Sequence, residues 1–371
     1  MAAMLSEGGF ASCKGDPDVW MRPKVKPNGD KYWEYVLCYV GSYLVYLITL
    51  TTSCDGLPCF QIYSEERKCG KKKPDAYLGV EVKKWTIDGA DNPTNERWAM
   101  LSDLYVKRAA TKVERELEEI GEHLKAEVQI PMSQGYLPES DTIPELDAKC
   151  ANYFQGLIGV LRWICKLGRI DILVDVAMLL RFLAAPRRGH LDQAFHIFAY
   201  LKRYNRSSMF DESCFQKCDW SEYYPGACEA AVPPDAPEVR GQPVSMSCFV
   251  DADHAGCRVT RRSHTGVLIF INRAPILWYS KRQNTVEAST FGSEFIAAKI
   301  AVETIEGLRY KLRMMGVQVE GPTNVFCDNE SVVKNLTKPE STLKKKHNAI
   351  AYHRGVREAQ AAGIVRIAKE D

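Results

Sequence analysis

Three acidic residues in the last third of the chain have the residue types for metal-dependent chemistry. Asp251 ends the apolar segment VSMSCFVD, Glu294 opens a helical pattern, and Asp328 ends the segment TNVFCD. Mg²⁺ prefers oxygen ligands, and two such ions about 4 Å apart can hold the attacking water and the leaving oxygen of a phosphodiester. Each aspartate could instead be an ordinary solvated acid at a strand end, and this alternative is favoured for Asp253. Glu294 could instead be a favourable charge at a helix N-terminus.

The elements around these acids predict a mixed α/β sheet with helices packed on it. VSMSCFVDADHAG, GVLIFIN and ILWYSKR are typical of strands, with a turn at 273–275 between the last two. A long helix is predicted to stop at Gly316 and to bury one face, formed by Phe295, Ala298, Ile305, Leu308 and Leu312. The strand TNVFCDNE and the short helix SVVKNLT follow. Because strand ends of one sheet can share an edge with the start of a packed helix, the three acids are predicted to converge.

The composition is that of an ordinary globular chain. Its 371 residues suffice for two or three domains, and 46% are hydrophobic. The net charge of +2 does not indicate a nucleic-acid binder, although local patches could bind nucleic acid. The 13 cysteines lack the paired spacing of a zinc site, which favours reduced thiols. Since the N-terminus has no apolar signal-peptide core, we expect a cytoplasmic or nuclear protein that is not secreted.

The uncharged run YVLCYVGSYLVYLITLTTSC, residues 35–54, is the membrane candidate in this sequence. A spanning helix needs about 20 mostly apolar residues. Here glycine, serine and threonine dilute the run, and β-branched and aromatic residues dominate it. A buried strand or a misfit loop is therefore favoured over a membrane helix.

The remaining residues before 244 fall into segments with different predicted secondary structure. Residues 1–80 predict short strands and loops, and residues 147–204 are strongly helical around a turn at 186–189. A further helix is predicted over 98–125, with an apolar face formed by Leu104, Val113, Leu117 and Ile120. Residues 206–243 are polar and proline-rich, which favours a linker.

The C-terminal motifs carry a family resemblance. CFVDADHAG, RRSHTGVLIFINRAPILWYSKRQNTVEASTFGSEFIAAKIA and NVFCDNESVVKNL resemble, in this order, the ribonuclease H (RNase H) domain of copia-type retrotransposon polyproteins. The resemblance covers about residues 245–371. It implies an RNase H fold that hydrolyses the RNA strand of an RNA–DNA hybrid with Mg²⁺, or Mn²⁺ as a substitute. Asp251, Glu294 and Asp328 match the family's first three catalytic carboxylates and are the predicted metal ligands.

Two basic clusters are the candidate contacts to a hybrid. They are Arg258, Arg261 and Arg262 in RVTRRSH, and Lys344, Lys345 and Lys346. An A-form-like duplex is bound through its shape, phosphates and 2′-hydroxyls, and each cation near a phosphate adds salt-dependent affinity. A solvated charged face is the alternative. No small-molecule cofactor is expected, whereas other parts of a retroelement polyprotein are possible partners.

One departure from the family bears on activity. The family carries a fourth catalytic aspartate beyond the last basic segment, and this sequence stops at Asp371 before that motif. Losing one ligand should weaken a second ion site. The alternative function is therefore an inactive retroelement fragment that at most binds nucleic acid.

Upstream segments resemble the C-terminal part of a copia-type reverse transcriptase, with weaker motifs. They are DPDVWMRPKVKPNGDKYWEYVLCYV, PDAYLGVEV, YFQGLIGVLRWICKLGRIDI and AYLKRY. The family's late palm carries Tyr-x-Asp-Asp, but Gly41 and Ser42 occupy the aspartate positions here. Polymerase activity is therefore predicted to be lost. Codons for Gly41 and for residues 43–47 and 62–70 can give family-like residues when read one base later, although Ser42 cannot give the aspartate. This suggests a frameshift over 41–73, which the gene sequence would test.

These expectations combine into one architecture. Residues 1–80 are a partial late palm, with 41–73 frameshifted in this hypothesis, and 81–205 are a largely helical thumb and connection region. The linker 206–243 precedes an RNase H-like α/β domain over 244–371, with a mixed sheet and flanking helices and a truncated C-terminus. The predicted function is RNase H-type hydrolysis of RNA–DNA hybrids, without a membrane anchor.

Overall fold

The structure is a computed structural model that describes residues 2–38, 45–52, 58–64, 76–77, 80–86, 96–206, 208–209, 232–272, 274–337 and 350–370. The first sheet is an antiparallel meander in which the strands follow chain order. After the short helix α1 (Ala2–Glu7), its strands are β1 (Ala11–Cys13), β2 (Asp16–Val25), β3 (Lys31–Cys38), β4 (Val45–Thr52) and β5 (Pro58–Ser64). In the described part of residues 1–80, the predicted short strands are therefore confirmed.

The described parts of the uncharged run, residues 35–38 and 45–52, lie on the paired strands β3 and β4, with Tyr35 opposite Ile48. In the described part of the chain, no helix is both long and apolar enough to cross a membrane. Gly41 and Ser42 lie outside the described residues, as does much of 41–73. The lost polymerase site and the frameshift therefore stay predictions.

A second, four-stranded sheet leads into a helical unit. Its strands are β6 (Ala76–Tyr77), β7 (Val80–Thr86), β8 (Glu96–Leu101) and β9 (Ser208–Met209). The helices are α2 (Asp103–Glu118), α3 (Ala148–Lys166), α4 (Leu173–Leu179) and α5 (Arg188–Arg203), with 3₁₀ turns at 138–140, 170–172 and 180–182. Their shared core is built from fully buried residues such as Phe154, Leu161, Ile164 and Phe198. The predicted helical character of 147–204 is confirmed, although it is divided among three helices.

The predicted helix over 98–125 was wrong at both ends. Residues 98–101 extend β8, where they pair with β7. The helix α2 ends at Glu118 because Gly121 adopts φ +76° and its N–H donates to the Glu118 carbonyl at 3.0 Å. Val113 and Leu117 are buried as predicted, but Leu104 and Ile120 are exposed. Val106 and Ala110 complete the buried face instead, at the helical spacing that Leu104 misses.

The third sheet confirms the predicted α/β class with a mixed sheet and flanking helices. Its strand order is β12-β11-β10-β13-β14; β10, β11 and β12 are antiparallel, whereas β10, β13 and β14 are parallel. The strands are β10 (Met246–Ala252), β11 (His264–Ile271), β12 (Ala274–Arg282), β13 (Thr323–Cys327) and β14 (Val365–Lys369). The helices are α6 (Thr290–Met314), α7 (Glu330–Thr337) and α8 (Ile350–Ala361).

The long helix α6 covers one face of this sheet. Phe295, Ala298 and Ile305 are buried in the core, and Leu308 and Leu312 pack against it as predicted. Gly316 has φ +71° and ends the helix. The predicted turn at 273–275 was misplaced by one residue, since Ala274 and Pro275 already pair in β12 and Asn272 has the positive φ of the turn.

The N-terminal hairpin packs against the C-terminal end of α6. The Tyr35 hydroxyl donates to the Met315 carbonyl at 2.7 Å, and the Cys13 thiol donates to the Met314 carbonyl at 3.2 Å. The Trp33 indole N–H donates to the Glu238 carbonyl at 2.9 Å, within the segment predicted as a linker. The N-terminal hairpin and the C-terminal end of α6 thus share one contact surface.

Candidate active site

Asp251 and Asp328 lie at adjacent strand ends of the third sheet. Parallel pairing sets Val250 opposite Cys327, so the next residue of each strand is an aspartate. Both are exposed. The alternate residues of β10, among them Val250 and Ala252, are buried in the core, and this alternation leaves Asp251 outside the core packing. The backbone register therefore brings the first and third predicted acids together.

Glu294 reaches the same edge from the first turns of α6. Ser289 caps this helix by accepting the Gly292 N–H at 3.3 Å. Gln283, directly after β12, donates from Nε2 to the Ser293 carbonyl at 2.8 Å and to Thr265 Oγ1 at 3.1 Å. These bonds fix the start of α6 against β11, so the Glu294 carboxyl has a set position.

The Glu294 carboxyl is a buried acid among other acids. It is 6% exposed, and its Oε2 has no hydrogen-bond partner among the described residues. Burial raises its pKa to about 8, and the charges of Asp251 and Asp328 and a side-chain hydrogen bond with Asp251 contribute to the rise. At neutral pH the cluster therefore retains a proton, which a bound cation can replace.

A thiol completes the cluster. The ligand atoms of Glu294, Cys327 and Asp328 lie within 4.8 Å of one another. Burial, together with the neighbouring acids, raises the pKa of the Cys327 thiol to about 12, so it stays neutral. Asp251 neighbours Glu294 but lies outside this 4.8 Å group, and its Oδ1 accepts the Ala252 N–H at 2.7 Å.

These side chains fit a hard divalent cation. Carboxylate oxygens from three elements meet at one edge, and a buried carboxylate oxygen lacks any partner among the described residues. Mg²⁺ and Mn²⁺ suit such oxygen donors, whereas the neutral thiol adds little for them. Of the three predicted ligands, Glu294 and Asp328 lie in one group with Cys327, and Asp251 lies beside Glu294; their role as ligands stays a prediction.

A cavity of about 370 Å³ adjoins Asp251 on the side of the helical unit. Asp253 and Glu370 line it together with apolar residues, among them Leu173 and Trp278. It lies between the start of α4 and the sheet. Because Asp251 is part of its wall, the cavity belongs to the candidate site.

The first basic cluster lies on the connection after β10. Arg258 and Arg261 are exposed and Arg262 is half-buried. The second cluster, Lys344, Lys345 and Lys346, lies outside the described residues. One of the two predicted cationic clusters therefore lies on the connection that begins directly after the strand of Asp251.

Sequence reasoning missed two residues of this site, Gln283 and Cys327. Cys327 could have been noticed, since it directly precedes Asp328 in a strand. Gln283 offers only a weaker signal, as a polar residue immediately after an apolar strand. A second acidic group, which includes Glu114 and His123, lies at the end of α2. Glu114 is already paired with Lys202, so that group lacks the buried, partnerless oxygen found at Glu294.

The site thus lies at one edge of a mixed five-stranded α/β sheet with flanking helices. No family model matches the chain. It is 23% identical over 214 residues to the retrovirus-related Pol polyprotein from transposon RE1 of Arabidopsis thaliana, covering 58% of this chain and 13% of that protein. It is 26% identical over 246 residues to the corresponding polyprotein from transposon TNT 1-94 of Nicotiana tabacum, covering 65% of this chain and 16% of that protein.

The predicted resemblance to retrotransposon polyproteins is thereby confirmed. The putative transposon Ty5-1 protein of Saccharomyces cerevisiae is 26% identical over 153 residues, with 41% of each chain covered. Against the Arabidopsis and Nicotiana polyproteins, the chain spans only 13% to 16% of their length.

Similar solved structures include LC11-RNase H1 in complex with an RNA/DNA hybrid, at 16% identity and a TM-score of 0.26. That match covers 34% of this chain and 84% of that chain. Prototype foamy virus protease–reverse transcriptase matches at 14% identity and a TM-score of 0.24, covering 34% of this chain and 17% of that chain.

Proposed function

We propose that the C-terminal unit, residues 244–371, is a metal-dependent RNase H-type nuclease unit that hydrolyses the RNA strand of RNA–DNA hybrids. The observation that carries the proposal is the buried Glu294 carboxyl, held beside Asp251 and Asp328 with one oxygen unpartnered. An acid that serves only as a solvated surface charge would not need to be buried in this way. The relatives' retroelement origin supports the same substrate class.

In the proposed mechanism, Asp251, Glu294 and Asp328 would hold Mg²⁺. Bound there, Mg²⁺ would supply neutralisation of phosphate charge and activation of a water molecule. The protein contributes fixed positions, since the sheet register sets the two aspartates and the Ser289 cap and Gln283 set Glu294. Before metal binding, Glu294 holds a proton on its carboxyl, and that proton must leave when the cation binds.

The proposed hybrid lies across the edge of the sheet. The cavity wall at Asp251 faces the helical unit, and the exposed Arg258 and Arg261 extend from the adjoining connection. Cationic side chains beside the carboxylates can contact phosphates of a duplex whose scissile bond lies at the cluster. We also propose that the protein acts in the cytoplasm or nucleus.

The test uses the full chain, because the N-terminal hairpin packs on α6. Full-length protein is incubated with a hybrid whose RNA strand is labelled, with Mg²⁺ and separately with EDTA. Cleavage is expected in the sample with Mg²⁺ and not in the sample with EDTA. Asp251→Asn and Glu294→Gln are each expected to lose about 100-fold or more, since a metal ligand supports several kcal/mol of transition-state stabilisation.

The matched control is Glu303→Gln, the same substitution at an exposed position on the same helix. It should cleave like the wild type. Equal cleavage by wild type and Asp251→Asn, or none by either, would defeat the proposal. Hybrid binding without cleavage would instead favour the inactive, nucleic-acid-binding alternative.

A further inference from the structure

The connection between β10 and β11, residues 253–263, is here named the arginine loop. It begins two residues after Asp251 and carries Arg258, Arg261 and Arg262. Arg258 and Arg261 are exposed to solvent. The loop therefore links the carboxylate cluster to a cationic surface.

The backbone of the arginine loop adopts an uncommon conformation at two residues, which surrounding contacts must stabilise. Ala255 and Arg261 have φ values of 53° and 55°, a conformation that residues other than glycine adopt infrequently. Within the loop, the Arg261 N–H donates to the Cys257 carbonyl at 2.7 Å, and the Ala255 N–H donates to Ser263 Oγ at 3.0 Å. These bonds shape the turn but do not attach its tip to another element.

Two side chains of the helical unit make that attachment. Arg181, in the 3₁₀ turn after α4, donates from Nη2 to the Cys257 sulfur at 2.9 Å. Glu139, in the 3₁₀ turn before α3, accepts the Arg258 backbone N–H at 2.9 Å. Cys257 is 1% exposed, so solvent does not compete for the first contact.

The Arg181 guanidinium is committed to this contact. Its Nε and Nη1 are buried and have no hydrogen-bond partner among the described residues, so the Cys257 sulfur is its acceptor. Burial alone would raise the pKa of the Cys257 thiol, but hydrogen bonds from Thr260 and Arg181 bring it down to about 7. A partly ionised sulfur beside a buried guanidinium strengthens the attachment.

We propose that Glu139 and Arg181 are positioning residues for nucleic-acid binding, because they hold the arginine loop where its guanidinium groups face a duplex at the carboxylate cluster. The inference rests on the proposed function, since it takes the partner to be an RNA–DNA hybrid. A loop ordered before binding loses less conformational entropy when the hybrid arrives. Its arginines then contribute salt-dependent affinity.

The experiment measures binding apart from cleavage. Full-length protein is titrated against a fluorescent RNA–DNA hybrid in EDTA, and anisotropy gives Kd at several salt concentrations. Arg181→Met removes the donor and keeps the side-chain length, and we expect it to raise Kd about tenfold and to reduce the salt dependence. The control Arg188→Met removes the same charge from an exposed arginine paired with Asp192 and should change Kd less than about twofold.

Further variants separate positioning from general destabilisation. Glu139→Gln keeps an acceptor oxygen for the Arg258 N–H and should bind like the wild type, whereas Glu139→Leu should raise Kd about threefold. In a background that carries Arg258→Gln, Arg261→Gln and Arg262→Gln, Arg181→Met should have no further effect, because it acts through those side chains.

Equal Kd values for Arg181→Met and Arg188→Met would overturn the inference. So would an undiminished effect of Arg181→Met in the triple-glutamine background, or a wild type that does not bind the hybrid even at low salt. Should Arg181→Met fail to fold, the Kd values of the two Glu139 variants test the inference, and equal values for Glu139→Gln and Glu139→Leu would overturn it. A wild type that binds but does not cleave with Mg²⁺ refutes the proposed nuclease activity and leaves this inference to the Kd comparison.

Discussion

The buried Glu294 carboxyl makes stability depend on pH in a direction that can be measured without substrate. Its pKa rises from 4.5 to about 8 in the folded protein. A raised pKa gives a contribution to folding that is complete below pH 4.5 and is lost as pH rises through 8. The metal-free protein should therefore lose stability across this window, as the carboxyl ionises beside Asp251 and Asp328.

The perturbation is Glu294→Gln, which imitates the protonated acid at every pH. The rise from 4.5 to about 8 corresponds to at most about 5 kcal/mol, at ~1.4 kcal/mol per tenfold change in proton affinity. Because Asp251 and Asp328 are exposed, solvent screens their charges, and we expect about 2 kcal/mol. In EDTA, the variant should match the wild type at pH 5 and exceed it by this amount at pH 9.

The assay is thermal unfolding in EDTA at pH 5, 7 and 9, with Glu303→Gln as the exposed control on the same helix. Added Mg²⁺ should raise Tm for the wild type and much less for Glu294→Gln. Since the cation displaces the proton, the apparent affinity for Mg²⁺ should increase about tenfold per pH unit up to pH 8. If Glu294→Gln and Glu303→Gln show the same Tm at pH 9, the electrostatic account of the cluster is wrong.

Three further outcomes follow from packing. Gly316→Ala should destabilise by more than about 2 kcal/mol, because it combines a positive φ with overlap of the Trp33 indole, whereas Gly321→Ala has the positive φ alone and should cost about 1 kcal/mol; urea unfolding compares them. Phe154→Ala, in the core of the helical unit, should cost about 3–5 kcal/mol by the same measurement. Cys327 should resist alkylation at pH 8 in the native protein and react on unfolding, as mass spectrometry would show.

The sheet that holds the site was predictable because its signals are local. The alternating pattern of β10 and the helical spacing of apolar residues in α6 both follow from burial on one face. The pairing of Val250 with Cys327 then places both strand-end aspartates. The first and last residues of α2 were harder to predict from the sequence. Gly121 was a visible stop signal, but the apolar continuation to Ile120 masked it, and β8 became a strand only because β7 lies beside it.

The attachments between units could not be read from the sequence. Glu139 and Arg181 precede their partners in the arginine loop by 119 and 76 residues, and neither belongs to a motif. The same holds for Tyr35, whose hydroxyl bonds the Met315 carbonyl 280 residues away. Such contacts depend on the final placement of whole elements, so residue type and spacing carry no trace of them.

The two aspartates of the motif DAD show how register decides what a carboxylate can do. Residues two apart on a strand share a face, so pattern alone cannot separate Asp251 from Asp253. The β10–β11 ladder ends with Ala252 opposite Thr265, and Asp253 lies beyond it. There its Oδ1 accepts the His264 N–H, and although burial opposes the shift, hydrogen bonds from His264 lower the pKa of Asp253. The Asp253 carboxylate is thus engaged in closing the arginine loop, whereas Asp251 lies beside Glu294.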